Sequence, residues 1–166
     1  MAGTLYEQDF IGWTEQQARL LREAAARGVN LPLDWANLAE EIEDLGRNVA
    51  RSVKSQMIRI IEHLFKMEYS DIVESRRGWT VSIENARREV ALILQDDPGL
   101  RPRLPQMLEQ SAPLGVRYAA RELRNYGEGK AAALVVIQGP EHYTLDQILD
   151  EDWLPARPDM PALTRA

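Results

Sequence analysis

The chain has no cysteine and only two histidines among its 166 residues. The first absence removes disulfides, thiolate nucleophiles and Cys-based zinc or iron–sulfur sites, and the second leaves few metal chemistries open. The expectation is no cofactor and no resident metal. No window approaches the ~18 to 20 uninterrupted apolar residues of a membrane span, and the opening MAGTLYEQDF carries neither the basic nor the apolar region of an export signal. A cytoplasmic protein without membrane contact is expected. Nucleotide and hydrolase signatures are lacking too: there is no Walker lysine loop, no G-x-G-x-x-G and no G-x-S-x-G.

What is present is an ordinary globular composition, with 45 % hydrophobic and 28 % charged residues and a length suited to one domain. The net charge of −6 hides a division. Residues 1 to 46 carry 9 acids and 3 bases, residues 47 to 130 carry 11 acids and 15 bases, and residues 131 to 166 carry 6 acids and 2 bases. A basic middle between acidic ends fits either a nucleic-acid face or internal neutralisation.

Helical patterns dominate. Thr4 with Glu7 and Thr14 with Gln17 have capping-box spacing, and Phe10, Trp13, Ala18, Leu21 and Ala25 predict one helix from about residue 5 to residue 27, stopped by Gly28. Pro32 makes VNLPL a connector and Asp34 an N-cap. From Trp35 to Tyr69, Leu38, Ile42, Leu45, Val49, Val53, Met57, Ile60, Leu64 and Met67 form one stripe. That helix would be roughly 50 Å long at ~1.5 Å per residue, with Gly46 as its one weak point, a kink or a boundary. Ile58, Ile61 and Phe65 lie off the stripe, so this stretch is apolar on several sides, as in a central helix or a dimer contact. A further helix is predicted over 78 to 95. Arg101 to Tyr126 reads as one or two helices interrupted by prolines, and TLDQILDEDWL as a short capped helix. AAALVVI is ambiguous, its Val-Val-Ile end favouring strand and its Ala run helix.

Beside the stripe, Ser52, Gln56, Arg59 and His63 step by four, three and four residues, and Glu41 has the same relation to Leu38 and Leu45 earlier in the helix. This polar line reads either as a pocket or as hydrogen-bonded groups tying helices or a second chain. Glu41 and His63 would stand about 33 Å apart on a straight helix, and no Glu-x-x-His pair occurs, which argues against a di-iron or mononuclear metal site. Arg47, Arg51 and Lys54, and again Arg117, Arg121 and Arg124, form basic stripes, without the aromatic motifs or high pI of a nucleic-acid binder. Trp13, Trp35, Trp79 and Trp153 fall near the ends of predicted helices, where they would pin a bundle rather than cage a ligand.

The run DWANLAEEIEDLGRNVARSVKSQMIRIIEHLFKMEY, followed by RRGWTVSIENARREVALILQDDPGLR and YTLDQILDEDWLP, resembles a bacterial family catalogued as domain of unknown function 29. The resemblance covers roughly residues 6 to 155 and implies an all-helical fold without an established activity. Trp35, Asn37, Glu40, Glu41, Gly46, His63, Leu64, Lys66 and Trp79 carry its motif, with no role attached. The combined expectation is an all-α single domain over 1–155, of four to five main helices around a long central one with a C-terminal strap, followed by a proline-containing tail at 156–166. The leading functional expectation is a non-enzymatic interaction or regulatory module that self-associates or meets a protein partner. Alternatives are an enzyme or small-ligand binder with a pocket around His63, and a nucleic-acid-associated protein using the basic stripes.

Overall fold

Asp9 decides how the chain begins. In the computed structural model, which describes residues 4–158, the single helix expected over 5 to 27 is broken into α1 (Leu5–Gln8) and α2 (Phe10–Ala26). Asp9 leaves helical geometry and its Oδ1 accepts the Gly12 N–H at 2.8 Å, a local bond that competes with the helix ladder. Thr4 keeps the reciprocal contact predicted for it, its N–H donating to Glu7 Oε2 at 2.8 Å. Thr14 does not cap anything. It lies fully buried inside α2, with its hydroxyl donating to the Ile11 carbonyl at 2.8 Å. Gly28, at φ +70°, closes α2: Val29 N–H reaches the Ala24 carbonyl and Gly28 N–H the Ala25 carbonyl.

Helix α3 spans Trp35–Tyr69 without interruption, and the Asp34 carboxylate accepts the Asn37 N–H at its start. Gly46 is therefore no boundary. A Cβ there would stand 2.2 Å from Thr14 Oγ1, so the glycine serves the close crossing of α2 and α3. Next come α4 (Arg76–Asp96), a 3-10 segment (Pro98–Arg103), α5 (Leu104–Asn125), α6 (Gly129–Gln138) and α7 (Leu145–Leu149). The prolines interrupt less than their number suggests. Pro102 and Pro105 fall in the 3-10 segment and the first turn of α5, where a missing donor loses little, and α5 passes Pro113 at an exposed position. AAALVVI resolves as helix within α6. Ala131, Ala132 and Val135 fall on one helical face and are buried, which outweighs the strand preference of Val-Val-Ile.

The chain divides into two compact units, one of residues up to Val53 with Val90–Met107, the other of Lys54–Glu89 with the residues from Leu108 on. Helices α3, α4 and α5 contribute to both. The tail expected at 156–166 lies outside the described residues from residue 159 on.

In the second unit, Ile60, Ile61, Leu64 and Phe65 of α3 are buried together with Ile83, Ala119, Leu123, Val135 and Ile148. Ile61 and Phe65, off the main stripe, are thus core of the same chain and need no second copy to cover them, while Ile58 is half-buried outside that core. Gly115 lets α5 approach α3, since a Cβ there would meet Ile61 Cγ2 at 2.6 Å. The C-terminal strap is tied by Arg87, which is 2 % exposed. Its guanidinium donates to the carbonyls of Gln147 at 2.8 Å, Ile148 at 2.9 Å and Trp153 at 2.8 Å. A planar donor set meets three carbonyls that would otherwise be left unpaired. Thr144 and Gln147 form the predicted capping box on α7.

In the first unit, the core is made by Ile11, Ala18, Ala39, Val53, Val90, Leu94, Leu100, Leu104 and Met107. The α3 stripe is only partly used here: Leu38 and Leu45 are 38 % and 50 % exposed.

Candidate functional site

The polar line on α3 separates when folded. Glu41 and Ser52 are exposed residues of the first unit; Arg59 is exposed, and Gln56 and His63 half-buried, in the second. Gln56 Oε1 and His63 Nδ1 are both buried without a hydrogen-bond partner among the described residues. One turn along from His63, Lys66 is 3 % exposed and its ammonium donates to Glu62 at 2.7 Å while lying 5.7 Å from the centre of the Trp79 ring. Carboxylate and ring together make a buried ammonium tolerable. Burial lowers the His63 pKa to about 4, and the charges of Lys66 and Arg59 push it the same way. The ring is neutral at pH 7 and forms no ion pair with Glu62, whose carboxylate stands 3.6 Å from Nδ1. An imidazole with so low a pKa is a weak base, while its unpaired Nδ1 remains available for one hydrogen bond.

A second cluster escaped the sequence reading because its members are far apart in the chain. Glu68, near the end of α3, accepts from His142 Nε2 at 3.0 Å and from the Tyr143 hydroxyl at 2.5 Å. The imidazole stacks on Phe65, with centroids 5.3 Å apart, and Tyr143 packs on the same ring at 4.7 Å. Burial, then the bond to Glu68, drives the Tyr143 pKa far above its ordinary value. Tyr69 beside them is pushed up to about 12, mainly by burial. Facing a carboxylate, Nε2 is the ring nitrogen that carries a proton. The cluster orients an imidazole and ties the segment after α6 to α3. The sequence signal was the adjacent pair His142-Tyr143 in a polar loop, and nothing local pointed to an acid 74 residues away.

The basic stripes are interleaved with acceptors. Arg47 pairs with Asp44 and lies near Glu43; Arg51 donates to Asn48 at 3.0 Å and Lys54 to Gln110 at 3.3 Å. On α5, Arg117, Arg121 and Arg124 are exposed, Arg117 lies over the Tyr118 ring, and Arg121 lines a shallow hollow with Glu62, Tyr118 and Glu122. Among the described residues no group of three or more His, Asp or Glu is arranged to hold a metal ion. Among the described residues no helix is long and apolar enough to cross a membrane. Of the tryptophans, Trp79 is buried and Trp13, Trp35 and Trp153 are half-buried. Trp13 packs with Tyr6 and Phe10, and Trp153 against Tyr143.

A family model described as "Domain of unknown function DUF29" matches residues 5–154, a span that takes in every helix from α1 to α7. The chain belongs to the DUF29 family. Its fold is similar to the crystal structure of an alpha-helical protein of unknown function from Rhodospirillum rubrum ATCC 11170, at 28 % identity and a TM-score of 0.55, covering 92 % of this chain and 93 % of that one. No curated protein matches the chain. As a DUF29 protein it carries Trp79 and Lys66, two of the motif residues the sequence resemblance singled out, in direct contact. Gly46 and Leu64 are packing positions.

Proposed function

We propose that this DUF29 protein is a non-enzymatic interaction module that self-associates through the first half of α3. The observation that carries this reading is the stripe itself. Leu38 and Leu45, seven residues apart, keep the register of the core yet stand open to solvent, with Ile42 half-buried between them. The same segment is electrically divided: Glu40, Glu41, Glu43 and Asp44 precede Arg47, Arg51 and Lys54. Two copies packed antiparallel about a two-fold axis would set each acidic half against the partner's basic half. Pairs now made within the chain, such as Arg22–Glu43 and Arg47–Asp44, are exposed and weak, so they can exchange partners. The non-enzymatic part of the reading rests on the second unit, where Lys66, Glu68, Tyr143 and Arg87 are all committed to internal bonds.

Sedimentation velocity tests this directly. The wild-type protein is expected to self-associate as its concentration rises, and Leu45→Glu to remain monomeric with an unchanged helical circular dichroism spectrum. A double variant Glu40→Lys, Glu41→Lys should fail to pair with itself but pair with Arg47→Glu, Arg51→Glu. A wild-type protein that stays monomeric at millimolar concentration, or association indifferent to Leu45→Glu, overturns the reading.

A further inference from the structure

The first unit contains a hollow of about 460 Å³ whose walls are of two kinds. Tyr6, Phe10, Val49 and Ile93 supply apolar surface, and Glu7, Asp96 and Asp97 supply carboxylates, with no basic residue in the lining. We infer that this hollow binds a primary ammonium group carried on an apolar body, a small arylalkyl or alkyl amine.

Three observations carry the inference. The first is the carboxylate of Asp97, a residue only 4 % exposed. Its Oδ1 accepts the Phe10 N–H at 3.0 Å, while Oδ2 is buried with no hydrogen-bond partner among the described residues. A buried acceptor of this kind costs stability until a donor reaches it, and a charged donor repays most. The second is the aromatic wall. The Tyr6 and Phe10 centroids lie 5.6 Å apart at 80°, and Trp13 packs on both, 4.8 Å from Tyr6 and 5.9 Å from Phe10. Tyr6 and Phe10 belong to the lining, with Trp13 behind them, and aromatic surface beside acids suits an organic cation. The third is that the neighbouring cation is already engaged. Arg103 feels the charges of Asp9 and Asp97, yet its guanidinium is held by both oxygens of Glu15, at 2.9 and 3.0 Å. The volume lies within the range of small-molecule pockets, and the apolar walls select against a bare metal or alkali ion.

The choice of a primary over a quaternary ammonium follows from Oδ2, which needs an N–H. Isothermal titration of the full chain with 2-phenylethylammonium chloride is the test, with 2-phenylethanol and 3-phenylpropanoate as the neutral and anionic counterparts. Saturable binding of the ammonium alone is expected. Asp97→Asn, which keeps an oxygen for the Phe10 N–H, should abolish it, and Asp96→Asn at an exposed position should weaken it by about tenfold, the value of one charged hydrogen bond. Equal binding of the alcohol, no binding of the ammonium, or binding that Asp96→Asn leaves untouched would overturn the inference. The Asp96 variant decides the matter even where Asp97→Asn disturbs folding.

Discussion

One apolar stripe on α3 has two fates. In the second unit its residues, from Met57 to Met67, are buried under α4, α5 and α6, together with Ile61 and Phe65 from outside the stripe. In the first unit Leu38 and Leu45 of the same stripe face water, while α2 and α3 cross closely at Gly46 and Thr14. Equal hydrophobic periodicity therefore does not mean equal burial. Periodicity says which side of a helix is apolar; the elements that arrive from elsewhere in the chain say whether that side is covered. The polar groups divide likewise. The second unit spends its buried cations, Lys66 and Arg87, on internal ties, whereas the first keeps Glu40 and Glu41 open on α3 and an acidic hollow beside an aromatic wall.

The contrast can be broken or sharpened by substitution, and the largest effect is expected in the second unit. Phe65→Ala removes a fully buried ring that three other aromatic side chains contact, and should cost about 4 kcal/mol in chemical denaturation. A loss below about 1 kcal/mol would mean that this core collapses as readily as a thin one. Arg87→Met comes next, at about 3 kcal/mol, because three carbonyls lose charged donors inside the fold. Hydrogen exchange should then rise at residues 147–153 while amides of the first unit stay as protected as before.

The pH dependence of the second unit follows from His63. Its pKa in the folded chain, about 4, lies below the ordinary 6.5, so folding favours the neutral ring. The corresponding stability is fully present above about pH 6.5 and is lost as pH falls toward 4, by up to about 3 kcal/mol at the acid end. Wild type minus His63→Gln, followed by denaturation across that window, isolates this loss from carboxylate titration; parallel curves would remove His63 as the cause. Gly46→Ala probes the first unit's crossing and should cost about 1 to 2 kcal/mol, since the new methyl meets a buried β-branched Thr14. Thr14→Ala in the same chain, which removes the hydroxyl oxygen the methyl would meet, should recover part of it. The smallest change is expected from Leu45→Ala, within about 0.5 kcal/mol in the monomer, because half of that side chain already faces water. A large loss there would show that the stripe is covered after all.

Local signals located most of the helices. The α3 stripe, the Asp34 cap, the Thr144–Gln147 box and the Gly28 stop all depend on residues within a turn or two of each other, so they are legible in order along the chain. They failed where a tertiary partner outvoted a local preference. Thr14 has cap spacing but is buried against Gly46, and Val135 belongs to a strand-like run but packs into a helical core. His63 was legible as the titratable group beside the stripe, yet its low pKa comes from burial and from Lys66 and Arg59. Glu68, His142 and Tyr143 were not legible as a group, since no spacing rule links positions 74 and 75 residues apart.

The sequence by itself determined an all-helical chain, the length of α3 and the side of it that is apolar, because backbone propensity, capping and 3.6-residue periodicity are local. Only the tertiary structure decided which part of that side is core and which is surface, that Arg87 ties the strap, and that Asp97 is left with an unpaired oxygen beside an aromatic wall. Burial depends on which distant segments meet, and a linear pattern carries no record of that meeting.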